Sequence, residues 1–113
     1  MLPGEIYLAL FPFGDAPGMK LRPVLTLSQP VGTIPEVLVA YISSVIPTTM
    51  LPTDLLLDPT RSDSKALNLK IVSVLRLHKL ATIHSRGLAR RLGSIPPHLS
   101  PEISLRLRTF LNL

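Results

Sequence analysis

A chain of 113 residues has the length of one domain with one modest core, and its 46% apolar content with a mean hydropathy of +0.39 is high for so small a body. Some of that apolar surface is expected to meet a second copy of the chain. Without a cysteine, disulfides, thiol nucleophiles and thiolate metal sites are excluded. Twelve Lys and Arg against seven acids leave a net charge of +5. The charge is uneven, because from Lys65 to Arg108 nine bases face one acid, Glu102. Such a bias points to an anionic partner, nucleic acid or an acidic protein segment. No apolar run approaches the roughly 20 residues that span a bilayer. Met1 to Glu5 has no basic region ahead of its apolar residues and does not read as a signal peptide, so the expectation is a cytoplasmic protein without membrane attachment.

In chain order, Gly4 to Phe11 reads as a first strand, with Ile6, Leu8 and Leu10 on one face and Tyr7 on the other. Two prolines and two glycines then mark Phe11 to Met19 as a loop. Lys20-Leu21-Arg22-Pro23 continues that loop, and Val24 opens a second strand that ends at Gln29-Pro30. Arg22 is thereby expected at a loop-to-strand junction, on a stem that Pro23 stiffens. Taken alone, such an arginine is a solvated strand-end cation.

Glu36 to Ile42 is almost continuously apolar, as a strand buried on both faces would be. Thr53 to Asp58 is a short fourth strand, Pro59 to Ser64 a charged loop, and Ser73 to Ile83 a further strand. Ser85 to Ile95 fits two structures: Leu88 and Leu92 have helical spacing, while Gly87 and Gly93 allow a basic edge strand. Ser100 as cap, Pro101 in the first turn, Glu102 near the N-terminus and Ile103, Leu107, Phe110 and Leu111 at helical spacing predict a C-terminal helix over 99–113. The fold class is α+β, with antiparallel strands because the connections are too short for repeated crossovers. The whole of 1–113 is read as a single domain.

Familiar catalytic motifs are missing, from glycine-rich phosphate loops to metal-binding acid clusters, and His78, His84 and His98 read as surface residues. What remains is Arg22 at one strand mouth and Ser43-Ser44 at the end of a buried strand. If the second and third strands form an antiparallel hairpin, the start of one lies beside the end of the other. A guanidinium and a hydroxyl would then converge where a phosphate could bind.

Gly4-Glu5-Ile6-Tyr7, Phe11-Pro12, Arg22-Pro23-Val24-Leu25, Val39-Ala40-Tyr41-Ile42-Ser43-Ser44 and Leu51-Pro52-Thr53, in that order, resemble the MazF/PemK family of toxin endoribonucleases. The resemblance covers Gly4 to Ile95. It implies a compact SH3-like antiparallel barrel with a C-terminal helix, acting as a homodimer. It also implies cleavage of single-stranded RNA, such as mRNA, without metal or other cofactor. In the family the RNA's own 2′-hydroxyl is the nucleophile, and a cyclic phosphate and a 5′-hydroxyl result. The family's arginine before proline falls on Arg22, with an acid/base and charge-stabilising role. Its threonine falls on Ser43, whose hydroxyl would hydrogen-bond the scissile phosphate.

The same resemblance places Phe13 and Gly14 in the loop that helps select bases, and Lys20, Ser44 and Lys79 among the RNA contacts. Where many members read Asp-Gln-Leu-Arg-Thr, this chain reads His78-Lys79-Leu80-Ala81-Thr82, and Lys79 would serve as a phosphate contact. The implied partner is a cognate antitoxin whose acidic, disordered tail covers the basic groove. Two alternatives stay open on the same fold: a non-enzymatic toxin resembling the CcdB family, and an RNA binder weakened by serine at position 43.

Overall fold

The computed structural model describes residues 3–12 and 19–113. Phe13 and Gly14, expected to help select bases, lie outside the described residues. Six strands form one antiparallel sheet: β1 (Glu5–Pro12), β2 (Met19–Thr26), β3 (Glu36–Ser43), β4 (Asp54–Leu57), β5 (Ser73–His84) and β6 (Leu88–Ser94), in the order β4-β5-β3-β2-β1-β6. A C-terminal helix, α1 (Ser100–Phe110), closes the chain. This is the compact antiparallel sheet with a late helix that the sequence predicts. Among the described residues no helix is long and apolar enough to cross a membrane.

Strand alternation gives the sheet two apolar faces. On one, Ile6, Leu25, Ala40, Ile42, Leu75 and Leu77 are buried with Ile103 of α1. On the other, Ala9, Phe11, Val24, Val37, Val39 and Ile83 form a second cluster, bordered by Tyr7 and Tyr41. β3 is the central strand, paired with β2 and β5, and is almost entirely buried, as its apolar run requires.

β2 begins earlier than expected. Its pairing with β1 already runs from Met19, so Arg22 is not at a loop-to-strand junction but inside the strand, level with Ala9. Pro23 explains why pairing to β1 extends so far while pairing to β3 does not. Leu27 donates its N–H to Leu38 O of β3 at 2.8 Å, while Thr26 O accepts from Gly4 on the β1 side. Two-residue alternation then aims position 23 at β3, where proline has no N–H to give. The β2–β3 ladder accordingly covers only Val24–Thr26 against Tyr41–Val39. β2 also stops at Thr26 rather than running to Gln29.

β5 pairs with β3 in two registers. Leu80 to His84 lie against Ala40 to Glu36, Val74 to Arg76 lie against Ser43 to Tyr41, and the irregularity between them leaves Leu77, His78 and Lys79 as a bulge. Thr53 anchors it: Leu77 N donates to Thr53 O at 2.9 Å, and Thr53 Oγ1 and His78 Nδ1 are 2.7 Å apart.

The undecided stretch from Ser85 to Ile95 resolves as a 3₁₀ turn at Ser85–Gly87 followed by β6. His84 starts that turn by accepting the Arg86 N–H at 3.0 Å. Gly93 is buried against the carbonyl oxygens of Ala66 and Leu67, where a Cβ would collide with backbone. Those carbonyls belong to a 3₁₀ helix, Ser62–Leu67, in a region read as a charged loop up to Ser64; it seats Leu67 in the core and ends at Asn68 in the left-handed region at φ 51°.

Ser100 does not cap α1. The 3₁₀ turn Pro97–Leu99 runs straight into it, Leu99 is already helical at φ −90° and ψ −19°, and no side chain caps the end. Arg106 ties the helix to the sheet, donating to Pro52 O at 2.7 Å and to Glu102 at 2.9 Å. Only Ile103 of α1 is fully buried, whereas Phe110 and Leu111 are exposed.

Candidate nucleic-acid interface

Continuing the β2–β3 register two residues past its last pair, Val24 with Tyr41, brings Arg22 level with Ser43. Both residues share the strand parity of Val24 and Tyr41, so they belong to the face of the second cluster. β2 and β3 do pair antiparallel, as the hairpin reading expects. Their ladder ends at Val24 with Tyr41, two residues short of Arg22 and Ser43, where Pro23 has no N–H to give toward β3.

Arg22 is half-buried, and its Nη1 reaches the carbonyl of Leu21 at 3.3 Å. Ser43 is buried, and its Oγ accepts the Val45 N–H at 3.1 Å and lies 3.3 Å from the Val45 carbonyl. A hydroxyl has one donor and two acceptor positions, so accepting from Val45 leaves its proton able to turn toward an incoming oxygen. Ser44 alternates to the opposite parity and is exposed. It is adjacent in sequence to Ser43 without sharing its face.

Two lysines complete the set. Lys20 is exposed and level with Phe11 in the β1–β2 register, on the parity of Arg22. Lys79 is carried by the β5 bulge, and its Nζ lies 5.7 Å from the centre of the Tyr41 ring. Tyr41 in turn stacks on Phe11, with ring centres 5.3 Å apart and planes at 28°. Arg22, Lys20, Lys79 and Ser43 thus surround an aromatic pair at one end of one face. Phe11 and Tyr41 belong to the segments that resemble the family, yet nothing in the sequence gives either a role at the site. Only the β3–β5 irregularity, which periodicity does not reveal, brings Lys79 to Tyr41.

Another arginine on this face is already committed. Arg76, level with Tyr41 on β5, donates from Nε to Asp54 Oδ1 at 2.9 Å and from Nη2 to Oδ2 at 3.3 Å. Burial works against the Asp54 charge, but the Arg76 hydrogen bonds and the Leu51 N–H outweigh it and hold the carboxyl below its ordinary value. The His78 imidazole is shifted down, first by burial and then by the neighbouring Arg76 charge. Arg91 of β6 is paired with Glu5 across the sheet, so it closes the β1–β6 edge instead of joining the Arg22 group. Among the described residues no three His, Cys, Asp or Glu side chains form a group that could hold a metal ion.

A groove of about 620 Å³ lies elsewhere, between α1 and the turn before β4, lined by Pro52, Thr53, His78, Leu105, Arg106 and Phe110. Its walls are mostly apolar and its cation is bound to Glu102 and to backbone carbonyls, so it offers an anion little.

Comparison with known proteins adds to this geometry. The model of the family described as "PemK-like, MazF-like toxin of type II toxin-antitoxin system" matches residues 2–111. Among solved structures, the Mycobacterium tuberculosis toxin MazF-mt6 superposes with a TM-score of 0.73 at 24% identity, covering 96% of this chain and 97% of its own. An endoribonuclease from a mycobacterial species gives 0.70 at 21% identity, covering 100% and 92%. An endoribonuclease in complex with its cognate antitoxin, also mycobacterial, gives 0.71 at 21% identity, covering 100% and 96%. At these identities the likeness to the three structures is one of fold. No curated protein matches.

Proposed function

The chain belongs to the family of PemK-like, MazF-like toxins of type II toxin–antitoxin systems, and from that premise we propose that it is an endoribonuclease that cuts single-stranded RNA, with Arg22 and Ser43 at the scissile phosphate. The observation that supports the reading is the antiparallel pairing of β2 with β3, whose register, continued past Val24 with Tyr41, brings Arg22 level with Ser43. Two solved neighbours of the same fold are endoribonucleases, and one is bound to its antitoxin.

In the proposed reaction the RNA 2′-hydroxyl gives its proton to a water molecule and attacks the adjacent phosphorus. The bond from phosphorus to the 5′-oxygen breaks, that oxygen takes a proton from water, and a 2′,3′-cyclic phosphate and a 5′-hydroxyl remain. The phosphorane between them carries more negative charge than the diester. A guanidinium fixed in a strand therefore stabilises the transition state more than the ground state. Arg22 stays protonated throughout, so its contribution is charge. Ser43 turns its hydroxyl proton from the Val45 carbonyl to a phosphate oxygen while the Val45 N–H keeps Oγ in place. None of these roles calls on a metal ion. Lys20 and Lys79 contact the flanking strand, and Ser44, on the opposite parity, is left out of the contact set.

The remaining assignments follow from this reading. The chain works as one domain in the cytoplasm, where mRNA is found, and its acidic antitoxin tail neutralises the same cations that hold RNA. The exposed Leu105, Phe110 and Leu111 of the C-terminal segment supply apolar surface for a homodimer. The test is incubation of purified protein with single-stranded RNA in EDTA. Cleavage is expected; growth arrest by the protein with RNA left intact would favour the non-enzymatic, CcdB-like reading.

A further inference from the structure

We propose that Tyr41 is a positioning residue for RNA binding, which holds the ammonium of Lys79 on the Arg22 face so that it takes a second phosphate of the strand Arg22 grips. The inference rests on the RNA-binding part of the reading above and adds a residue to it. A lysine at the tip of an exposed bulge samples many rotamers, and ordering it on a ligand costs entropy. Here the stem leaves β5 at the point where its register breaks, and the Nζ is found 5.7 Å from the Tyr41 ring centre. The quadrupole of the ring attracts the cation, and the charge remains open to a stronger anion.

Tyr41 is itself fixed. Phe11 stacks on it, and β3 is paired on both sides, with β2 and with β5. The bulge is fixed as well, through Thr53, which accepts the Leu77 N–H and meets His78. Tyr41 lies two residues before Ser43 on the same parity. The ring that holds Lys79 is thus next to the hydroxyl proposed for the scissile phosphate, and a strand crossing Arg22 and Ser43 continues toward Lys79. Arg76, level with Tyr41, is a poorer partner for that phosphate, because its Nε and Nη2 already donate to Asp54.

Anisotropy of a labelled 2′-O-methyl RNA strand, which lacks the attacking hydroxyl, measures binding apart from cleavage. Tyr41→Leu and Lys79→Met are each expected to weaken binding about three- to tenfold and to lower the slope of log K against log salt by about 0.7, the value of one phosphate on a single strand. The double variant is expected to bind no worse than either single variant within about twofold, since both remove one contact. Tyr41→Phe, which keeps the ring, is expected to restore binding. Additive losses, an unchanged slope in Lys79→Met, or a wild-type protein that does not bind the strand would each overturn the proposal. If Tyr41→Leu does not fold, the Lys79→Met slope and the Tyr41→Phe variant decide. The expected pattern in a protein that never cuts the 2′-hydroxyl strand keeps the inference and removes the nuclease reading alone.

Discussion

Two arginines flank the central strand, and they are held in opposite ways. Arg76 on β5 is locked by two hydrogen bonds to a carboxylate whose side chain is wholly buried. Arg22 on β2 stands where the ladder to β3 has ended, beside a serine whose proton can turn outward. One cation joins β4 to β5; the other is carried by β2 just past the end of its ladder with β3. The contrast teaches that backbone pairing, more than the local charge pattern, separates the arginine held in an ion pair from the one proposed to act on RNA in this sheet. Arg76 faces Asp54 because β4 and β5 pair in that register. Arg22 lies beyond the end of the β2–β3 ladder, where Pro23 has no N–H to give to β3.

The contrast is broken most severely at its functional side. Arg22→Ala is expected to lower the RNA cleavage rate about 10²- to 10³-fold, the size found when one preplaced transition-state donor is lost. Its thermal unfolding should stay near that of the wild type. Asp54→Ala should do the reverse. Leaving Arg76 without its buried partner is expected to cost about 2–4 kcal/mol of stability in denaturant melts, while cleavage per folded molecule survives. Ser43→Ala removes the Val45 bond and the proposed phosphate donor, for about 1 kcal/mol of stability and about a tenfold loss of rate. Ser43→Thr, which keeps the hydroxyl, should retain the rate or raise it.

The smallest effect is in the pH dependence of folding. The Asp54 carboxyl is depressed in the folded chain, so its contribution is present above the ordinary value of 3.8 and is lost as pH falls through the lower folded value. His78 is also depressed, so the unfolded chain binds its proton more readily, and stability should decline as pH falls below about 6.5. Melts from pH 8 to pH 3 should show a shallow loss followed by a steeper one. Asp54→Asn should reduce the steeper step, to which the depressed Asp58 and Asp63 carboxyls also contribute.

Much of this was legible in the sequence, and the exceptions have physical causes. β3 was readable because its apolar run needs cover on both faces, and the antiparallel pairing of β2 with β3 followed from the short connection between them. The start of β2 was not, because Pro23 reads locally as a strand breaker and only the direction of its missing N–H shows that β1 pairing survives. Ser85 to Ile95 stayed undecided because the carbonyls that demand a glycine at position 93 come from Ala66 and Leu67, far away in the chain. Ser100 looked like a cap, but a 3₁₀ turn had already made the chain helical before it. The approach of Lys79 to Tyr41 depends on a bulge that alternation cannot reveal.

The most direct test of the central claim uses one RNA strand in two forms, intact and with a single 2′-deoxynucleotide immediately 5′ of the mapped cut, each incubated with the protein in EDTA. The account predicts a 2′,3′-cyclic phosphate and a 5′-hydroxyl from the intact strand and no cleavage at that bond in the substituted one. Cleavage of the 2′-deoxy strand at the same bond would contradict it.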